Sequence, residues 1–362
     1  MTLEDDLEAL VQAKPPLIKK SKHPDHPLTI YNYTDRAQWK KAWNPCTMMA
    51  RGLVIEQGTS RVVARPMPKF FNYSDGLHKT EDTNRFTVLE KVDGSLGVWF
   101  CYKGTWLMAT RGSFLSPQAV EGKKMAQATG LEEKCDPSKT YCFEVVYPQD
   151  RHLIDYNGRR ELVLIAVLDT YTGFDTPNKD LPEVAKALGI RAAESFPCGL
   201  LPLDAIHELN RPNEEGFVIR FDSTGERVKI KFSAYMDLAK RGLSGSAPDK
   251  KPLTREIVFK RLLANPDDTM ENYLERIPDE FYEEAQKAQD EFTSVFAESM
   301  TAFDQLVEQY RDTPFKEISG AIPGQNIIFR WLRITRQGTS TQDERVQARR
   351  DYAKLLTRQR LL

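Results

Sequence analysis

The hydrophobic period of this chain changes once, near residue 245, and that change limits the folds open to it. From about residue 28 to 232 the pattern is short runs broken by turns: LTIYNY, RGLVIE, RVVARP, FTVLEKVDG, LGVWFCYKG, WLMATRG, YCFEVVYP, LVLIAVLDT, EGFVIRF and RVKIKF. Val, Ile, Phe and Tyr dominate these runs, as half-buried strands require. A short amphipathic helix is expected at residues 3–14, and helical patches interrupt the runs at SPQAVEGKKMAQATG and LPEVAKALG. Residues 242–252, GLSGSAPDKKP, are small, polar and turn-rich, which marks a linker. Beyond it apolar residues recur at helical spacing and strand runs vanish. The pattern predicts an α+β domain of antiparallel sheets with flanking helices over residues 1–245, then an all-α domain over 246–362. ENYLERIPDEFYEEAQKAQDEFTSVFAESMTAFDQLVEQY is expected to form one long helix, or two joined near Pro278.

Formal net charge is -1, so any surface for a polyanion must be a local patch. The five cysteines (Cys46, Cys101, Cys135, Cys142 and Cys198) are scattered singly with no CxxC pair. That argues against a zinc knuckle and a disulfide framework, and for reduced thiols. The N-terminal MTLEDDLEAL lacks the basic and apolar regions of a signal peptide, and no apolar run approaches a membrane span. A cytoplasmic monomer without membrane contact is expected.

The chemistry centres on Lys91-Val92-Asp93-Gly94. A neutral lysine amine attacks phosphorus and forms a covalent intermediate. Nearby positive charge or desolvation favours the neutral form, and a metal held by carboxylates such as Asp93 supplies such charge. Glycine lets the backbone turn tightly beside a phosphate. Alone the tetrapeptide is weak, because a strand followed by an Asp-Gly turn gives the same four residues. Its weight comes from distant partners. Glu144 lies in an apolar strand, and Glu215 stands just before another. Lys229 and Lys231 share one face of a strand, since their spacing is two. Two lysines on one face repel unless they share an anion, and a triphosphate is such an anion.

In this order the segments resemble the covalent nucleotidyltransferases: DNA ligases, RNA ligases and mRNA capping enzymes. KVDGSL resembles their motif I, FEVV motif III, EEGFVI motif IV and KIK motif V. The closer resemblance is to the T-even phage tRNA-repair type of ATP-dependent RNA ligase, the first phage RNA ligase family. IYNYTDRAQW is similar to that family's N-terminal tyrosine motif, and ARGLVIE with RPMPKFFN to its upstream phosphate-binding segments. TRGS, FEVVYPQDRHLI and KIKFSAY continue the match, which covers about residues 28–236.

The resemblance implies a role for each matched position. Lys91 is the adenylated lysine. Arg51 and Lys69 hold the β- and γ-phosphates and orient the leaving pyrophosphate. Tyr31 lies at the ATP site. Arg111 supplies a cation where the best-known relative has Lys; Arg keeps the charge and suits bidentate phosphate contact. Glu144 and Glu215 bind nucleotide or, with Asp93, a hydrated Mg2+ or Mn2+ ion. Lys229 and Lys231 contact the α-phosphate, with Tyr235 supporting that corner. Asp267 is the remaining metal candidate. The implied reaction joins RNA 3'-OH and 5'-phosphate ends through lysyl-AMP and RNA-adenylate, with a nicked tRNA anticodon loop as one substrate. The OB-fold domain that carries the sixth motif of DNA ligases has no counterpart in the sequence, which favours RNA ligase over DNA ligase and over a GTP-dependent capping enzyme. A non-catalytic RNA-binding protein on the same fold is the alternative from another class; the presence of Lys91, Glu144, Glu215, Lys229 and Lys231 argues against it. The tail is acid-rich first and basic at its end, where Arg330 and Arg333 flank Trp331. It reads either as an RNA-docking surface or as an ordinary amphipathic face, and Trp331 either as a stacking platform or as core.

Overall fold

The computed structural model describes residues 2–80, 85–196, 202–241, 255–268, 281–314, 316–318, 325–336 and 341–362. The chain divides into two compact units, Met1–Lys251 and Pro252–Leu362. The expected linker at residues 242–252 and the expected joint at Pro278 lie outside the described residues.

The first unit is α+β. Its strands in chain order are β1 (Ile18–Lys22), β2 (Leu28–Tyr33), β3 (Arg51–Glu56), β4 (Arg61–Ala64), β5 (Phe71–Asn72), β6 (Phe86–Glu90), β7 (Ser95–Tyr102), β8 (Thr105–Ala109), β9 (Lys139–Val146), β10 (Glu161–Asp169), β11 (Arg191–Ala192), β12 (Ser195–Phe196), β13 (Gly216–Phe221) and β14 (Arg227–Lys231). They form three sheets, ordered β1-β2-β3-β4, β11-β10-β9-β7-β8 and β12-β6-β13-β14-β5. Pairing is antiparallel except at two edges, where β11 runs parallel to β10 and β5 parallel to β14. Both exceptions are two-residue strands, too short to carry a period of two. β1 is also invisible to the pattern, because four of its five residues are exposed.

The second sheet is covered on both faces. Val98, Phe100 and Tyr102 of β7 pack with Leu28, Ile30 and Val54 of the first sheet. Trp99, on the other side, joins Trp106, Tyr141 and Phe143. Helices Pro117–Ala128 and Leu181–Leu188 close that second face. The first of them starts at Ser116, whose hydroxyl accepts the Ala119 N–H, with Pro117 at the first helical position. LGVWFCY is therefore apolar almost throughout because β7 is buried on both sides, whereas a half-buried strand would alternate. The third sheet has its own core of Val88, Phe217, Ile219, Phe221, Val228 and Ile230.

The second unit contains helices Arg255–Ala264, Tyr282–Gln309, Gln325–Arg336 and Gln342–Leu361. Phe303, Val307, Ile318, Ile328, Leu332 and Tyr352 form a core between them. Trp331 stands edge-on to Phe303, with ring centroids 5.9 Å apart, and packs against this core. The split in charge is used internally: Arg350 pairs with Asp267 at 2.9 Å, Arg360 with Glu298 at 2.8 Å, and Arg349 with Asp304. Among the described residues no helix is long and apolar enough to cross a membrane.

Phe100 is fully buried between the first and second sheets. Phe100→Ala is expected to lower the unfolding free energy by about 3–5 kcal/mol, read from urea unfolding. A loss below about 1 kcal/mol would mean that these sheets do not share a packed core.

Candidate active site

Lys91 follows β6 directly, and its N–H donates to the Gly216 carbonyl across the β6–β13 pair at 2.9 Å. That bond fixes the lysine beside Glu215, the residue before Gly216. Their side chains meet at 2.6 Å between Nζ and Oε2. Glu215 also receives Lys231 from β14 at 3.3 Å, so two cations converge on one carboxylate that is only 4% exposed. The turn needs glycine at 216: φ is +149°, and a Cβ there would lie 1.9 Å from the Ile230 carbonyl oxygen. Gly94 answers a second close approach. A Cβ at 94 would stand 2.8 Å from the Val145 carbonyl oxygen and 3.0 Å from Glu144 Cγ. The last residue of KVDG thus lets the motif lie directly on β9, beside Glu144.

Asp93 is committed within the protein. Its Oδ2 accepts N–H bonds from Leu153 (2.8 Å) and Ile154 (2.9 Å), and its Oδ1 accepts the Tyr235 hydroxyl at 3.0 Å. Its own N–H donates to the Tyr156 hydroxyl at 2.7 Å. His152 Nδ1 lies 3.6 Å from the same carboxylate, and His152 Nε2 lies 3.7 Å from Asp150. Burial opposes the negative charge on Asp93, but the His152 contact and the two backbone donors outweigh it and hold the group well below the usual carboxylate range. Burial likewise opposes charge on His152, yet Asp150 and Asp93 prevail and raise it to about 10. Asp93 is thus a staple between the motif I loop, residues 152–154 and Tyr235, rather than a carboxylate open to metal.

A cavity of about 630 Å³ opens beside these groups. Lys91, Glu144, Arg51, Arg111, His152 and Arg227 line it, with Leu89, Val92, Ile165 and Val218 as apolar wall. Burial pushes Glu144 up to about 7; Lys91 opposes that rise and Glu215 adds to it. Burial lowers Arg51, whose Nη1 donates to the Met67 carbonyl at 3.4 Å. Among the described residues no group of three or more His, Cys, Asp or Glu side chains stands ready to hold a metal. Glu144 lines the cavity and would suit a Mg2+ ion that keeps most of its water and takes other oxygens from substrate phosphates, whereas both oxygens of Glu215, like those of Asp93, are already engaged.

Other predicted positions fall elsewhere. Tyr31 is fully buried in a cluster with Leu7, Ile18 and Leu53, and its hydroxyl donates to Glu8 at 2.7 Å. The tyrosine near the cavity's cations is Tyr33: Arg111 Nη1 donates to its hydroxyl at 3.2 Å, and Lys69 Nζ lies 5.5 Å from its ring. Tyr31 and Tyr33 are two residues apart on one face of β2, so spacing alone does not settle which ring reaches the cavity's cations. Lys69 is buried, its amine within 5.6 Å of the Tyr33, Trp43 and Phe71 ring centroids. Lys229 pairs with Val218, a residue of the cavity wall. Asp267 belongs to the helical unit and pairs there with Arg350. Sequence reasoning missed His152 and Arg227. The second was readable, because Arg227 extends the spacing-two row of Lys229 and Lys231.

A model of the RNA ligase family matches residues 49–236, just over half of the chain. The chain belongs to the RNA ligase family. The match spans Lys91, Glu144, Glu215, Lys229 and Lys231. A protein of Autographa californica nuclear polyhedrosis virus, named as a bifunctional polynucleotide kinase/RNA ligase, is 25% identical over 262 residues, covering 64% of this chain and 36% of the relative. A protein of Thermovibrio ammonificans named as an RNA ligase is 30% identical over 139 residues, covering 36% of each chain. The chain thus spans about a third of the length of the curated relatives it matches. An archaeal ATP-dependent RNA ligase structure aligns with 83% of both chains at 17% identity and a TM-score of 0.49.

The raised His152 gives a pH signature. Its contribution to stability is full below the ordinary histidine value of 6.5 and is lost as pH rises through about 10. His152→Gln should therefore lower Tm more at pH 6 than at pH 10.5, by differential scanning fluorimetry. An equal loss at both pH values would mean that His152 is not held as a cation.

Proposed function

We propose that this RNA ligase family member uses ATP to join RNA 3'-OH and 5'-phosphate ends through a lysyl-AMP intermediate on Lys91. The observation that carries the reading is the Lys91–Glu215 contact at the edge of a cavity that also holds Glu144, Arg51 and Arg111. A carboxylate fixes the nucleophile, and cations stand where a triphosphate would lie.

In the first step Lys91 sheds one proton to solvent and attacks as a neutral amine. The Nζ–Pα bond forms and the bond from Pα to the β-bridging oxygen breaks. That oxygen leaves with the electron pair as pyrophosphate. The second nitrogen proton passes to Glu215, 2.6 Å away. Lys231, held on the same carboxylate, is placed to stabilise charge on the α-phosphate, with Lys229 one strand step away. Arg51, Arg111 and Lys69 orient the leaving group, since in-line displacement demands fixed geometry. A hydrated Mg2+ or Mn2+ ion at Glu144 would offset phosphate charge when bound. Asp93 and Tyr235 act through position: they tie the motif I loop to its neighbours. In the second step the RNA 5'-phosphate attacks the adenylate phosphorus, the Nζ–P bond breaks, and the amine recovers a proton. In the third the RNA 3'-hydroxyl attacks the activated 5'-phosphate, loses its proton and expels AMP.

The helical unit we assign to substrate choice, with a nicked tRNA anticodon loop among the substrates. Arg330 and Arg333, exposed on helix Gln325–Arg336, support a phosphate-contacting face, although Arg349, Arg350 and Arg360 are engaged within the unit.

Incubation with labelled ATP and Mg2+, then a chase with unlabelled 5'-phosphorylated RNA, tests the function. The expected result is a labelled protein whose label passes to RNA and appears as AMP on joining. Labelling by GTP instead, or transfer only to DNA ends, would refute it. Removing residues 253–362 is expected to spare self-adenylylation while reducing joining of nicked tRNA more than joining of simple single strands. Equal losses on both substrates would contradict a specificity role for the helical unit.

A further inference from the structure

Arg227 is 5% exposed, and only half of its guanidinium is used by the protein. Nη1 pairs with Asp175 at 2.7 Å, and Asp175 also receives Arg220 Nε at 3.1 Å. Nη2 is buried without a hydrogen-bond partner. The side chain lines the same cavity as Lys91. A buried donor of this kind is costly to leave unsatisfied, and because Arg227 lines the cavity, a modest turn of its guanidinium would offer Nη2 to an occupant.

The position of Arg227 along the cavity follows from the register of the third sheet. Lys91 lies level with Gly216 and Lys231, whereas Arg227 pairs with Arg220, four residues before Lys231 on β14. Four residues of strand span about 13 Å, and Lys91, Arg51 and Arg227 line one cavity. That span, less the inward reach of the long side chains, is one that a triphosphate chain can bridge. Charge also selects the ligand. Arg220, Asp175 and Arg227 carry a net positive charge, and Arg51 and Arg111 line the same cavity, so an anion suits the free Nη2 better than a neutral ring nitrogen.

We propose that Arg227, anchored by Asp175, holds the terminal phosphates of the nucleoside triphosphate together with Arg51 and stabilises the pyrophosphate as it leaves Lys91. This rests on the ATP-dependent reading above and adds a residue that acts in the first step alone. Joining of RNA that already carries a 5'-adenylate involves no pyrophosphate and gives the internal reference.

Arg227→Met keeps the apolar stem, and Arg227→Lys keeps the charge. Each variant is assayed for lysyl-AMP formation across ATP concentrations and for joining of preformed 5'-adenylylated RNA. The expected result is a fall of about 10- to 100-fold in kcat/KM for adenylylation by Arg227→Met, with partial rescue by Arg227→Lys. Joining of adenylylated RNA stays within about twofold of wild type. Equal loss in both assays would make Arg227 a structural residue and overturn the proposal. So would unchanged adenylylation, or a changed ATP-to-GTP preference at an unchanged rate, which would mark a base contact. A wild-type enzyme that joins adenylylated RNA yet forms no lysyl-AMP would overturn the ATP-dependent reading itself, and this inference with it.

Discussion

The contact between Lys91 and Glu215 depends on three backbone facts, and the rest of the site is arranged around it. β6 and β13 must pair so that Lys91 N–H reaches the Gly216 carbonyl. Residue 216 must lack a Cβ, because the Ile230 carbonyl occupies the place of one. β14 must then bring Lys231 to the other oxygen of the same carboxylate. Removing one member of such a buried cluster leaves its partners uncompensated, which costs more than the pairwise attraction alone. Stability and the placement of the proposed nucleophile are therefore coupled at this site.

A second layer holds the first. Asp93 gathers two backbone N–H groups, the Tyr235 hydroxyl and the His152 imidazolium, and so joins segments far apart in sequence. All three sheets contribute: the third holds Lys91 and Glu215 at its strand ends and the cationic row of β14, and the second carries Glu144. Arg51, at the start of β3, belongs to the first. Strands buried on both faces, such as β7, make this frame stiff enough to hold reacting groups in fixed geometry.

Much of this was legible in the sequence, for physical reasons that differ by element. The runs around β2, β3, β6, β8, β9, β13 and β14 show because β-branched and aromatic residues recur between turns. The same-face pair of Lys229 and Lys231 follows from the strand period. The glycines of KVDG and EEGF mark turns, but the atoms they avoid belong to other strands. Tyr31 and Tyr33 could not be told apart, because they are two residues apart and share one face of β2. The role of Asp93 was hidden for a related reason. A carboxylate beside a candidate nucleophilic lysine suggests metal, whereas its partners at residues 152–154 and 235 emerge only on folding. Arg227 lay within a readable row, but its orientation depends on Asp175, a residue of the turn after β10.

The central claim is that the amine of Lys91 itself carries AMP. Intact mass measurement after incubation with ATP and Mg2+, followed by peptide mapping at mild alkaline pH, tests it most directly. An adenylyl group on the peptide containing Lys91, absent from Lys91→Ala, is the predicted result. An adduct that persists in Lys91→Ala, or that maps to another residue in the wild type, would contradict it.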